Sequence, residues 1–199
     1  MSESSDFLME SNKPKRKDQD MKKGRFMKMA LSGTVSVLAL MLTAQNVQTE
    51  KLNLVENGGF EKDITVLWDG PGTVDNEIFK DGKGSLKLDN KGTKAFMYDQ
   101  QNITKKLKPS TKYVFSVDIK RTSNEKGRVL AAVLEKENKN NTDWTSIHEC
   151  GGKGQTGKWE HFELEFTTES EIYDSVVILY NIETEGIVWY DNVSVVEAK

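Results

Sequence analysis

The chain has 199 residues, of which 30% are charged, and a net charge of −3. That length is enough for one domain of ordinary size and a tail. Residues 1–49 contain 8 Lys and Arg against 5 Asp and Glu, which leaves 20 of the 28 basic and 26 of the 31 acidic residues for the remainder, a net charge of −6. An acidic domain argues against a nucleic-acid partner, because affinity for nucleic acid depends on Lys and Arg that neutralise phosphates.

The first 49 residues are typical of a targeting segment in two parts. Residues 1–20 form a polar, basic extension, and residues 21–49 place four basic side chains before an apolar run from Met29 to Ala44. A basic start, a short apolar run and small residues are typical of a secretory signal peptide. Sixteen helical residues span about 24 Å, less than the ~30 Å of a hydrocarbon core. We therefore expect a signal peptide or, if it stays uncut, an N-terminal anchor, which would be the only route to membrane attachment. The protein is then secreted or extracellular, membrane-anchored or associated with the cell wall.

From Leu52 onward, short alternating runs are separated by turn residues, and no long helical period occurs. Such runs predict about eight or nine strands in a sandwich or barrel. In chain order the runs are LNLVENG, EIFK, SLKLDN, KAFMYDQQNITKKL, YVFSVDIK, RVLAAVLEKE, WEHFELEFTT, SVVILYNIE and GIVWYDNVSVVE. Residues 50–199 are therefore predicted to form one all-β domain.

The alternation within the runs assigns side chains to faces. In WEHFELEFTT, Phe162, Leu164 and Phe166 lie on one side and the charged residues between them on the other. The last run also alternates, which predicts a shared face for Trp189, Asp191, Val193 and Val195. One apolar face per strand predicts two antiparallel sheets packed face to face.

Five motifs occur in the order in which one family has them: NLVENGGFE, GKGSLKL, LKPSTKYVFSVDIK, TGKWEHFELEFTT and GIVWYDNVSVVE. With them the chain resembles the galactose-binding-like jelly-roll domains, in particular the carbohydrate-binding modules of families 4, 9 and 22, over nearly all of residues 52–197. The resemblance implies a jelly-roll β-sandwich that binds a polysaccharide of the β-glucan or xylan type without catalysis. It also implies a glycoside hydrolase as a partner, since such modules normally accompany one.

The resemblance further implies a structural calcium ion where the first and last strands lie together. By resemblance, Glu61 of NGGFE and Asp191 of WYDNV supply side-chain oxygens, and the backbone at Gly59 and Lys83 supplies carbonyl oxygens. Calcium takes about six to eight oxygen ligands, and glycine lets a carbonyl point inward without steric cost. The alternative is that Glu61 is a solvated turn residue and that Asp191 caps a bend.

Sugar recognition in such modules uses aromatic faces beside polar groups that read the hydroxyls. Trp144 lies in the polar loop NKNNTDWTSIHE, and Tyr98 and Gln100 share a parity that would place them in a groove with Phe96. Five residues are therefore candidates for carbohydrate contact: Trp144, Trp68, Tyr98, Gln100 and Tyr180.

The sequence predicts no catalytic residues. Retaining glycoside hydrolysis needs two carboxylates about 5–5.5 Å apart, and Glu163 and Glu165 share a face, but we interpret that face as solvated because no aromatic cleft surrounds it. His148, Cys150 and His161 lack the fourth ligand of a soft-metal site. The remaining alternative to a carbohydrate-binding module is a structural or adhesion sandwich that contacts cell wall or protein partners without a sugar groove.

Overall fold

Nine strands and one short 3₁₀ helix form within the residues that the computed structural model describes, which are 51–90, 96–122, 128–152, 154–182 and 186–199. The elements are β1 Thr73–Asp75, β2 Ser85–Asp89, β3 Phe96–Asn102, the 3₁₀ helix Thr104–Lys106, β4 Lys112–Arg121, β5 Arg128–Lys136, β6 Ser146–Gly151, β7 Trp159–Thr167, β8 Asp174–Ile182 and β9 Ile187–Glu197. The predicted extension and targeting segment, residues 1–49, lies outside these ranges. Within the ranges, no helix has both the length and the apolar character to cross a membrane.

The strands form two sheets in which every pair is antiparallel. The first sheet has the order β1-β2-β9-β4-β7 and the second has the order β3-β8-β5-β6. The inner faces of both sheets contribute to one apolar core, so the predicted antiparallel sandwich is confirmed. The alternation explains the core, because the odd positions of β4 from Tyr113 to Ile119 are buried and so are the alternate positions of β5 from Val129 to Val133. Each buried aliphatic or aromatic side chain stabilises the fold by about 1.5–3 kcal/mol.

The prediction of one face for four side chains of β9 is wrong. Val193 and Val195 lie in the inner core together with Tyr190, whereas Trp189 is not part of that cluster. The cause is a bulge: Ser116 pairs with Ser194 but Asp118 pairs with Asp191, and Asn192 has a φ of 51°. One extra residue on a strand reverses the sides to which its later side chains point.

The first and second predicted strands of the chain also differ from expectation, since neither LNLVENG nor EIFK forms a strand. The first segment still lies along β9. The N–H of Leu54 donates to the carbonyl oxygen of Val195 at 2.8 Å, and the N–H of Val193 donates to that of Gly58 at 2.9 Å. Between these two bonds, Asn53 replaces a ladder bond, because its Oδ1 accepts from the N–H of Val195 at 3.0 Å. The segment therefore pairs with the last strand without regular strand geometry.

Candidate functional site

The outer face of the second sheet is apolar, unlike the outer face of β7. Strands β5 and β8 are buried at nearly every position, so they carry apolar side chains on both faces. The outward set forms a second cluster, separate from the inner core, that consists of Leu130, Ala132, Leu134, Val176, Ile178 and Tyr180. A sheet face that is open to solvent is usually polar, and an apolar one marks a surface for a ligand or a partner.

Two grooves cross this outer face and meet. The first, called the aromatic groove, has a volume of about 410 Å³ and is lined by Phe96, Tyr98, Gln100, Leu134, Trp144, Ile147, Ile178 and Tyr180. The second, called the polar groove, also has a volume of about 410 Å³, and its lining includes Thr65, Trp68, Asp69, Gln100, Asn102, Trp144 and Asp174. Gln100 and Trp144 belong to both linings, so the two grooves form one continuous path.

Three rings form a cluster in the aromatic groove. The centroid of Phe96 lies 5.3 Å from that of Tyr98 and 5.7 Å from that of Tyr180. Tyr98 and Tyr180 are direct cross-strand partners in β3 and β8, and Phe96 is 53% exposed. Burial, with a further contribution from the charge of Glu149, raises the pKa of Tyr180 to about 12. Its hydroxyl therefore stays neutral and keeps its hydrogen-bond donor at physiological pH.

The polar groove presents carboxylates, amides and a hydroxyl. The Oδ1 of Asp174 accepts from Nδ2 of Asn102 at 2.9 Å and from Oγ1 of Thr104 at 3.1 Å, which fixes the start of β8 against the end of β3 and the 3₁₀ helix. Asp69 and Gln100 exchange two backbone hydrogen bonds of 2.8 and 3.0 Å. These bonds attach the loop before β1 to β3, so the polar groups of the loop and of the strand line the same groove.

Four of the five predicted contact residues come together on this face. Trp144 lies in the loop between β5 and β6, packs against the outer cluster and has Nζ of Lys136 4.7 Å from its ring centroid. Trp68 differs from the other four, because it is only 4% exposed and lies in the inner core with its ring 5.3 Å from that of Phe60. Trp68 reaches the polar groove only as part of its wall, and the binding role of all five residues stays a prediction.

Sequence reasoning missed several lining residues. Asn102 shares its parity with Tyr98 and Gln100, so the same alternation identifies it. Asp174 likewise shares a parity with Tyr180 along β8. Ile147 is 58% exposed and carries no such signal, because the alternation of β6 is interrupted by polar residues on both faces.

The carboxylate of Asp191 is buried and is held by backbone donors. Its Oδ2 accepts from the N–H groups of Lys80 at 2.8 Å and Asp81 at 3.1 Å, and its Oδ1 accepts from that of Asn192 at 2.7 Å. Burial raises the pKa of Asp191, and the negative charge of Asp118 adds to the effect. The carboxylate thus lacks a cationic side chain among these partners, which makes a nearby cation electrostatically favourable.

Glu61 approaches the same place from the first segment. A Cβ placed on Gly59 would lie 3.8 Å from Cγ of Glu61 and 4.0 Å from Oδ1 of Asp191, so both carboxylates adjoin that glycine. The backbone of Lys83 presents its N–H to Oε1 of Glu61 at 2.8 Å. The described residues contain no group of three or more His, Cys, Asp or Glu placed to hold a metal. The two carboxylates fit calcium in their chemistry, and further ligands would have to be backbone oxygens.

The residues considered for other chemistry are separated or engaged. Glu163 and Glu165 are exposed on β7, and Glu165 pairs with a lysine. Nε2 of His148 lies 3.1 Å from a carboxylate oxygen of Glu135, and Nδ1 of His161 lies 3.2 Å from one of Asp118. Burial raises the pKa of Cys150 to about 12, so its side chain is a neutral thiol and a poor metal ligand.

An antiparallel sandwich whose outer face carries a groove of rings and polar groups is typical of carbohydrate-binding domains. Residues 52–185 match the family described as "Carbohydrate binding domain", of the 4/9 type. The chain belongs to this family. A comparison with curated proteins gives no match.

Solved structures share the fold. A family 16 carbohydrate-binding module is 21% identical, with a TM-score of 0.59 over 73% of this chain and 100% of that one. The CBM22-1 xylan-binding domain of Xyn10C from Paenibacillus barcinonensis is 17% identical, with a TM-score of 0.59 over 75% of this chain and 96% of that one. The C-terminal family 22 module of Xyn10B from Clostridium thermocellum is 15% identical, with a TM-score of 0.54 over 71% of this chain and 92% of that one.

Proposed function

We propose that the protein is an exported, non-catalytic module that binds a polysaccharide of the β-glucan or xylan type along the joined aromatic and polar grooves. The observation that carries the proposal is the junction of the two grooves at Gln100 and Trp144. Stacking rings and hydroxyl-reading groups thereby lie along one open path. Family membership supports a carbohydrate ligand, and a neighbouring fold described as xylan-binding supports this polysaccharide class.

Each half of the path has its own task in binding. The rings of Phe96, Tyr98 and Tyr180 take the apolar C–H faces of pyranose units, because burial of an aromatic ring on a ligand is favourable. Gln100 and Asn102 exchange hydrogen bonds with hydroxyl groups and so fix the orientation of the sugar chain. A groove that is open along its length admits an internal segment of a polymer.

Calcium is part of the proposal as a structural ion. Glu61 and Asp191 would hold it beside Gly59, and the ion would supply positive charge next to a carboxylate that burial has placed in an unfavourable setting. The ion would also strengthen the attachment of the first segment to β9. Export through residues 21–49, a mature domain at residues 50–199 and a glycoside hydrolase partner complete the proposal.

A structural or adhesion role is the rival function. The exposed apolar side chains of Phe96 and Ile147 favour it, because a protein partner would cover them equally well. The two functions differ in one respect that can be measured, which is affinity for soluble polysaccharide.

Affinity electrophoresis in gels that contain xylan or mixed-linkage β-glucan tests the proposal directly. The wild-type protein is expected to be retarded by at least one of the two. Phe96→Ala is expected to bind about tenfold more weakly, since loss of a stacked ring costs about 1–2 kcal/mol. Phe79→Ala is the matched control, because Phe79 is also partly exposed but lines neither groove. Migration of the wild type that no polysaccharide changes would refute carbohydrate binding and favour the adhesion role.

A further inference from the structure

The ammonium group of Lys136 lies over the ring of Trp144, which lines both grooves. Lys136 is the last residue of β5, and its Nζ is 4.7 Å from the centroid of Trp144. Its backbone is fixed on the other side, where it pairs with Asp174 of β8 and accepts the N–H of Tyr173 at 2.8 Å. The side chain is therefore directed from a rigid strand end towards a ring on a loop.

Hydrogen bonds fix the base of the loop that contains Trp144, where the loop joins β5 and β6. Thr145 donates its N–H and its Oγ1 to the carbonyl oxygen of Glu135, at 2.8 and 2.9 Å, and its Oγ1 accepts the N–H of Glu137 at 2.9 Å. These bonds hold the backbone beside Trp144, but none of them involves the indole ring. The orientation of the ring depends instead on the groups that touch it, which are the outer apolar cluster and Lys136.

We infer that Lys136 is a positioning residue that holds Trp144 as a wall shared by the aromatic groove and the polar groove, at the point where they join. The inference rests on the proposed function of those grooves. A cation over an indole face is attracted by the ring quadrupole and occupies that face. The covered face is then closed to a pyranose unit, so Trp144 shapes the path and leaves stacking to the cluster of Phe96, Tyr98 and Tyr180.

Lys136→Met keeps an unbranched side chain, one atom shorter, and removes its charge. It is expected to weaken the binding of xylohexaose or cellohexaose about 3- to 10-fold by calorimetry, with little change in melting temperature. Acrylamide quenching of tryptophan fluorescence is expected to increase, because the ring loses its cover. Lys136→Arg is expected to restore both properties, since a guanidinium group also stacks on an aromatic face. In a Trp144→Ala background, Lys136→Met is expected to cause no further loss of affinity.

The chain offers a matched control on the other sheet. Nζ of Lys120 lies 5.9 Å from the ring centroid of Trp189. Both residues belong to the first sheet and line neither groove. Lys120→Met is therefore expected to bind the oligosaccharides as the wild type does. Wild-type affinity in Lys136→Met, or an equal loss in the Trp144→Ala background, would overturn the positioning role while leaving carbohydrate binding intact. If the wild type binds no saccharide, the proposed function fails, and unchanged quenching in Lys136→Met then overturns the Lys136–Trp144 link separately.

Discussion

Replacing Asp99 by Asn is expected to stabilise the domain at neutral pH. Asp99 points inward from β3 and is 1% exposed. Its Oδ2 accepts the N–H of Gly72 at 2.8 Å, whereas its buried Oδ1 has no hydrogen-bond partner. Burial raises the pKa of Asp99 from 3.8 to about 6, and the charge of Asp69 adds to the effect. Asparagine keeps an acceptor for Gly72 and carries no charge that must be buried.

The magnitude follows from that pKa. A difference between 3.8 and about 6, at about 1.36 kcal/mol for each pH unit, makes ionised Asp99 cost the folded state about 3 kcal/mol. Because the pKa is higher in the folded protein, the folded state binds the proton more tightly than the unfolded chain does. The stabilisation is therefore complete below about pH 4, falls as the pH rises towards 6 and is absent above it.

Urea titrations of both proteins at pH 4.5 and pH 7.5 measure the effect. Between these values the wild type is expected to lose about 2 kcal/mol of unfolding free energy relative to Asp99→Asn. The hydrogen bond with Lys106, and the charge of that lysine, lower the pKa of Glu56, so Glu56 makes stability rise with pH in both proteins. The readout is therefore the difference in unfolding free energy between the two proteins. Asp143→Asn, at an exposed position, is the control. A difference between wild type and Asp99→Asn that does not change with pH would refute the reasoning.

Two further predictions concern the region around Glu61. Removal of calcium with a chelator is expected to lower the melting temperature of the wild type, because an ion bound only to the folded state stabilises it by mass action, and Glu61→Gln is expected to reduce that response. Identical melting curves with and without chelator would contradict the calcium site. Gly82→Ala is expected to destabilise the domain by about 1–3 kcal/mol in urea titrations, because Gly82 has a φ of 71° and its new Cβ would overlap the Glu61 carboxylate. Gly152→Ala is the comparison, since Gly152 also has a positive φ of 96° but nothing within 4 Å; equal losses in both variants would show that the contact with Glu61 contributes nothing.

The alternation of apolar and polar residues predicted much of the fold and part of the candidate site. It assigned the inner face of β4 and both faces of β7, and it grouped Tyr98 with Gln100 and Phe96 on one side of β3. These features depend on neighbours along one strand. A period of two is therefore enough to find them.

What the pattern missed depends on contacts between distant parts of the chain. The bulge of β9 depends on the positive φ of Asn192 and on the pairing with β4, so no local period shows it. Trp68 was a candidate for ligand contact because it resembles the family's first-loop tryptophan, which is core in some members and ligand-facing in others. Here the loop packs its ring against Phe60. Trp144 was identified from its polar loop, but the cation over its ring comes from Lys136, eight positions earlier at the end of another element.

The hydrogen bonds between the first segment and β9 have a consequence for building larger proteins. Leu54 is hydrogen-bonded to Val195, so the backbone near residue 51 and the backbone near residue 199 lie at the same end of the sandwich. A linker attached at residue 51 or at residue 199 would therefore connect to that same end of the domain. A short peptide that joins the two ends should therefore be tolerated, with new termini opened in an exposed loop.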